Sequence, residues 1–271
     1  MKYNITKKTI EKYLDEGKRL DGRKPFDHRD VEVTFNISKH AEGSVGVKIG
    51  KTEVFAGIKM ATQEPYPDHE NEGTMMTTME LLPLSSPDFD YGPPRINAIE
   101  MARIIDRGIR ESGFIDFHKL CIKEGEKVWN IFIDLVSIND DGNLIDAGAL
   151  AAILALKVAK MPVYDEETEM VKHGEFTNNS LPLTDKMPIT ITFNKIGDQV
   201  IIDPTKQEEE VAEGRLTVEI SKPDKEEIIN AMQKGGEATL SVEEVDKMLD
   251  EAKKIFKNIN ELVDKELKAK K

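Results

Sequence analysis

Apolar and polar positions alternate along this chain with two different periods, and the change from one to the other marks out its elements. Ile5, Ile10 and Leu14 recur at the spacing of a short amphipathic helix, which ends near Gly17 and precedes the basic turn RLDGRKP. From Val31 the period falls to two. VEVTFNIS, GSVGVKIG and TEVFAGIKMAT predict three strands, joined as an antiparallel meander with Gly50-Lys51 as a tight hairpin turn. TQEPYPDHENEGT is a polar, Pro-containing loop, and MELLPLSSPDFDYGPP predicts a Pro-rich connection. The helical period returns in RINAIEMARIIDRGIRESG, where Ile99, Ala102, Ile105 and Ile109 share a face and Gly113 stands where a C-terminal cap glycine belongs. KVWNIFIDLVSI is the next strand. Behind it come the turn NDDGNLID and a helix from Ala147 to Lys160, apolar nearly all round and therefore expected in the core.

After an acidic loop around Asp165 to Glu167 the pattern repeats. MPITITFNKIGDQVIIDP predicts a hairpin with a Gly-Asp turn, and GRLTVEIS adds a strand. The tail is a long amphipathic helix with Val242, Val245, Leu249, Ala252, Phe256, Ile259 and Leu262 on one face, Ser241 and Glu244 spaced as a capping box, and a lysine run at its end. Two similar halves, each strands followed by a helix, predict an α+β fold of two related subdomains: an N-terminal arm over 1–20, a first subdomain over 21–185 and a second over 186–271.

At 271 residues and 39% hydrophobic content the chain can bury a substantial core. No apolar run reaches the roughly eighteen residues of a membrane span, and the first twenty positions lack a signal peptide's continuous apolar centre. A cytoplasmic protein without membrane association is the expectation. The single cysteine, Cys121, excludes an intramolecular disulfide and is expected to be a small buried apolar side chain. The formal net charge of −13 repels polyanions, so any nucleic-acid contact must be local or shared with a more basic partner.

Three constellations could carry chemistry. In the turn before the core helix, taking Gly142 as the glycine of a calcium loop puts Gly148 where a bidentate glutamate is required, so that reading fails. The histidines His28, His40, His69, His118 and His173 never fall at paired spacing, and no metal or cofactor is expected. A phosphate could use the free N–H groups at the helix start, but the turn supplies Asn143, Leu144 and Ile145, flanked by Asp140, Asp141 and Asp146, whose carboxylates can satisfy the helix end themselves. The second constellation is Arg103, Arg107 and Arg110, which four- and three-residue spacings put on one helical face. Such a face can grip successive phosphates of a nucleic-acid backbone, or it can be solvated and tied by the pairs Asp106–Arg110, Arg107–Glu111 and Glu100–Arg103; spacing alone leaves both readings open. The third is the acidic run of Asp203, Glu208, Glu209, Glu210 and Glu213, a solvated loop or a pair of carboxylates for Mg²⁺ or acid–base work.

Read in order, SKHAEGSVGVKIGKTEVFAGI, ELLPLS, EMARIIDRGIR, IFIDLVSINDDGNLIDAGALAAILAL and MQKGGEATLSVEEVDKML resemble the ribonuclease PH family of phosphate-dependent 3′ exoribonucleases, over roughly residues 20 to 260. RLDGRKPFDHRDVEV, CIKEGEKVW and IDPTKQEEEVAEG are most similar to the family's non-catalytic subunit type in the archaeal exosome. The resemblance implies an RNase PH-like fold and a phosphate site that has been vacated. Where active members carry Asp-Gly-Gly-Thr-Arg, Asp141-Gly142 persist but Leu144 and Ile145 stand at the donor positions; a phosphate-binding arginine is replaced by Asn97; and the two aspartates six apart become Glu209 and Arg215. A guanidinium for a carboxylate reverses the charge that catalysis needs. The resemblance further implies a hexameric ring of three heterodimers with a catalytic RNase PH-like subunit, RNA-binding cap proteins on that ring, and single-stranded RNA threaded to the partner's active sites. Arg103 and Arg107, with Arg110 as a weaker extension, match positions that contact RNA in this subunit type.

Overall fold

A computed structural model describes residues 2–223 and 226–270. The N-terminal helix α1 (Lys2–Asp15) ends before Gly17, whose φ is +72°. Its Ile10 and Leu14 are buried against Ile196, Ile201 and Val211 of the second half, in a small core of their own. The side chain of Ile5 lies outside the described residues. The predicted meander forms as β1 (Val31–Phe35), β2 (Gly43–Ile49) and β3 (Thr52–Gln63). Ile49 opposes Thr52 across a two-residue turn, and Gly50 supplies the φ of +58° that such a turn demands.

Three further strands complete this sheet. β4 (Thr74–Leu81) is one that period alone does not mark, because it reads TMMTTMEL, with Met76 exposed and threonines facing both ways. A three-residue β5 (Cys121–Lys123) precedes the long β6 (Lys127–Asn139). The order is β1-β2-β3-β6-β4, with β4 parallel to β6, β5 paired to the start of β6, and the other pairings antiparallel. Cys121 is half-buried rather than buried, on a three-residue strand paired to the start of β6.

Helix α2 (Ile96–Ser112) ends, as expected, in a left-handed Gly113. Its buried stripe is Ala98, Ala102, Ile104, Ile105 and Ile109, whereas Ile99 is exposed, because the face that meets β4 and the second sheet is rotated from the one the spacing suggested. Helix α3 (Leu144–Val158) starts three residues earlier than expected and hands over to a strand at Lys160. Every residue from Leu144 to Leu156 is buried, and the helix lies between the two sheets. The acidic loop is the tip of a hairpin, β7 (Lys160–Asp165) with β8 (Met170–Ser180); β7 is mostly half-buried and β8 largely exposed, so neither shows alternation.

The second sheet has the order β10-β9-β11-β12 and is wholly antiparallel: β9 (Ile189–Ile196), β10 (Gln199–Ile202), β11 (Gly214–Ser221) and β12 (Ile228–Gly236). A single-turn α4 (Lys206–Glu209) joins β10 to β11. The tail helix α5 (Val242–Ala269) is capped by Ser241 and Glu244 as expected and packs on β9 and β11. Its buried residues are Met248, Ala252, Ile255, Phe256 and Val263, while Val242 at its first turn is exposed. Among the described residues no helix is long and apolar enough to cross a membrane.

Candidate nucleic-acid interface

Helix α2 presents Arg103, Arg107 and Arg110 to solvent along one edge of an open cleft of about 650 Å³, whose other walls include Met75 and Met76 of β4, Ile96, Ile99 and Gln233 of β12. The three arginines are not equivalent. Arg110 makes the expected intrahelical pair, Nε donating to Asp106 Oδ2 at 3.0 Å; its Nη2 also donates to the Met75 carbonyl at 3.0 Å, and the guanidinium lies 5.9 Å from the centre of the Phe117 ring. It is held in place. The other two predicted pairs do not form: Glu100 turns to Arg215, with Nη2 donating to Oε1 at 2.6 Å, and among the described residues neither Arg103 nor Arg107 is hydrogen-bonded or ion-paired.

Beneath Arg107 lies a side chain that the sequence did not single out. Glu219 of β11 is fully buried and neither carboxyl oxygen has a hydrogen-bond partner. It fits only because α2 carries glycine above it; a Cβ at Gly108 would stand 2.7 Å from the Glu219 Cδ. Burial, against the field of Arg107 and with that of Asp146, pushes this carboxyl up to about 8. At neutral pH it is an uncharged acid, so Arg107 keeps its whole charge for a ligand.

Because its value rises above the ordinary 4.5, the folded chain keeps a proton that the unfolded chain releases. Stability from this group is complete below 4.5 and is lost as pH rises through the folded value. Between pH 6.5 and 8, above the value of about 6 to which burial raises Asp146, wild type is expected to lose on the order of 2 kcal/mol, or about 5 °C of melting temperature. Glu219→Gln should flatten that decline in a calorimetric pH series. A wild-type melting temperature that holds steady across this window would contradict the buried-acid account.

The turn before α3 is packed against the loop that follows β10. Gly142 adopts φ +83° against the Pro204–Lys206 backbone, so close that a Cβ would stand 2.5 Å from the Pro204 carbonyl. Asn143 follows in the left-handed region, its side chain donating to Asp203 at 2.9 Å. Leu144 and Ile145 then turn into the core at 2% and 3% exposure and offer no donor. The three flanking aspartates do not cap the helix as expected. Asp140 accepts from Lys206 Nζ at 2.7 Å and from the Gly142 N–H, Asp141 faces Arg29, and Asp146 reaches across to β9 to accept from Thr192 Oγ1 at 2.6 Å. Glu209 is the carboxylate at the helix entrance, its Oε1 accepting from the Asn143 N–H at 3.3 Å. Burial and the neighbouring Asp140 hold Glu209 above the usual carboxylate range. Lys206 supplies the local positive charge; burial opposes that charge, but its hydrogen bond to Asp140 and the fields of Asp140, Glu209 and Asp88 together outweigh it. Carboxylates and a lysine of the chain itself thus meet around the start of α3.

Asn97 is exposed in the first turn of α2 and lines a separate cleft of about 480 Å³ with Phe89, Tyr91, Arg95 and Lys206. The acidic run is dispersed among separate partners. Asp203 is buried between Arg23 and Arg29; burial works to raise its carboxyl, and the hydrogen bonds and charge of Arg29 with the field of His28 together more than reverse this, holding it far below the usual range. Glu208 pairs with the buried Arg19, and Glu213 with Lys7. The arginines of the basic RLDGRKP turn and of Arg29 therefore engage the second half of the chain. Charge alone could have suggested this pairing, but residues separated by about 180 positions give no spacing signal.

The model of the 3′ exoribonuclease family, domain 1, matches residues 27–162, and that of domain 2 matches residues 186–255. An exosome complex component Rrp42 from Thermococcus onnurineus is 44% identical over 89% of this chain and 88% of its own length. The protein of the same description from Methanosarcina acetivorans is 45% identical over 91% of this chain and 88% of its own. Among solved structures, a chain of the Archaeoglobus fulgidus exosome with RNA bound to the active site superposes with a TM-score of 0.85 at 39% identity, covering 95% of this chain and 98% of that one. A chain of an archaeal exosome core gives 0.79 at 38% identity, covering 92% of each.

Proposed function

Because this chain belongs to the 3′ exoribonuclease family and has its two-domain RNase PH-like α+β fold, we propose that it is a non-catalytic subunit of an exosome ring that degrades RNA from the 3′ end. It grips single-stranded RNA for a catalytic RNase PH-like partner, in a hexamer of three heterodimers that also carries RNA-binding cap proteins, and it works in the cytoplasm. The observation that carries the reading is the pairing of two features. Arg103 and Arg107 stand exposed along a cleft and unpaired among the described residues, while the turn that would hold attacking phosphate is closed by Leu144, Ile145, Glu209 and Lys206. Unpaired guanidinium groups on one helix face suit successive phosphates of a single strand without reading its bases. Arg110, already bound to Asp106 and to the Met75 carbonyl, supports the shape of that face instead of taking a phosphate.

The test is reconstitution. The purified chain alone is expected neither to shorten 5′-labelled oligo(A) nor to consume phosphate, and mixing with its catalytic partner should give phosphate-dependent shortening. The rival reading is a self-sufficient phosphorolytic enzyme working through Glu209. Shortening by this chain alone, abolished by Glu209→Ala, would establish that rival and end the present proposal.

A further inference from the structure

Glu100 precedes Arg103 by three residues on α2, a spacing at which a glutamate N-terminal to an arginine forms an intrahelical pair. The pair is absent, and Arg215 accounts for its absence. From β11 the Arg215 side chain reaches α2, where Nη2 donates to Glu100 Oε1 at 2.6 Å. The path it takes is open by design of the neighbouring strand. Arg215 opposes Gly235 of β12, and a Cβ there would lie 2.8 Å from Nη2, 3.0 Å from Cζ and 3.2 Å from Nε. Any other residue at 235 would have to displace the guanidinium. Its Nε is buried and has no acceptor, so the bond to Glu100 is what fixes its direction.

We propose that Arg215 is a positioning residue for RNA binding: by holding Glu100 it leaves Arg103 unpaired and available to a phosphate. This rests on the RNA-gripping reading above. A carboxylate at position 215, as catalysis would require, would repel Glu100 toward Arg103 and weaken the helix face as a phosphate grip. The same charge reversal that removes chemistry from this subunit therefore supplies its hold on the substrate.

The experiment uses the ring reconstituted with the catalytic partner, without phosphate, and fluorescein-labelled single-stranded oligo(A) in anisotropy titrations. Arg103→Ala is the control for the reading underneath: if it leaves affinity unchanged, the grip itself is refuted and the inference falls with it. With that control weakened, Arg215→Gln is expected to lower affinity about threefold, the scale of an exposed intrahelical ion pair competing with a phosphate. Adding Glu100→Gln to Arg215→Gln should restore wild-type affinity, because the competing carboxylate is gone. Adding Arg103→Ala to Arg215→Gln should cost nothing further beyond Arg103→Ala alone. Unchanged affinity in Arg215→Gln overturns the inference. So does failure of Glu100→Gln to rescue, which would mean that Arg215 acts on the strand packing or touches RNA itself.

Discussion

Reversing both free charges on α2, Arg103→Glu together with Arg107→Glu, is expected to lower the affinity of the assembled ring for single-stranded oligo(A) about a hundredfold at low salt. Each guanidinium offers a charge-assisted contact to a phosphate, on the order of 1–1.5 kcal/mol when discounted for exposure, and two such losses amount to roughly a factor of a hundred. Salt dependence gives an independent readout. Each lost phosphate contact should flatten the slope of log affinity against log salt by about 0.7, so the double variant should fall by about 1.4. The fold should be undisturbed, since both side chains are exposed and bonded to nothing among the described residues. Arg110→Glu is different, because Arg110 ties α2 to the Met75 carbonyl and to Asp106. An affinity and slope unchanged in the Arg103 and Arg107 double variant would leave this face with no claim on RNA.

The elements that the sequence disclosed are those whose burial follows a simple period. The meander of β1 to β3, the Gly50 turn, α3 and the capped α5 were all readable because their apolar positions recur with a simple period, or, for α3, because every face is covered. Strands β4, β7, β8 and β12 were not readable. β8 is mostly exposed, and β12 exposes Ile228, Ile229 and Met232, so neither shows the alternation of a half-buried strand. Within α2 the spacing revealed the arginine face but misjudged its partners. Glu100 is drawn off by Arg215, which is 115 residues away in sequence, and local helix rules cannot register such a competitor. Leu144 and Ile145 carry no polar side-chain atom and lie buried at the start of α3. What closes the turn was invisible for the same reason as Arg215: Glu209 and Lys206 arrive from a distant loop. Glu219 escaped notice because one acidic residue in a strand of alternating pattern looks like a solvated position, and only the packing of Gly108 over it shows otherwise.

The largest stability effect is expected from Arg19→Ala, at about 3–5 kcal/mol, because it strands a buried carboxylate. Arg19 is 1% exposed and Glu208 is equally buried; Nε donates to Glu208 Oε1 at 2.9 Å, Nη1 to the Ile202 carbonyl and Nη2 to the Asp203 carbonyl, both at 2.9 Å. Nη2 also donates to Glu208 Oε2, so each guanidinium edge is used, and truncation removes four bonds at once while leaving Glu208 without its buried partner. At roughly 2–4 °C per kcal/mol for a chain of this size, the melting temperature should fall by about 10 °C. Adding Glu208→Gln should recover part of that loss, since the amide keeps the bond to the Thr205 N–H but carries no charge to desolvate. The consequence extends beyond stability. Glu208 belongs to α4, the turn that also carries Lys206 and Glu209 to the start of α3, so the arm's arginine holds in register the residues that meet that helix start. If Arg19→Ala melted within a degree of wild type, the arm would be resting on the second domain instead of locking α4, and the position of Glu209 would need another support.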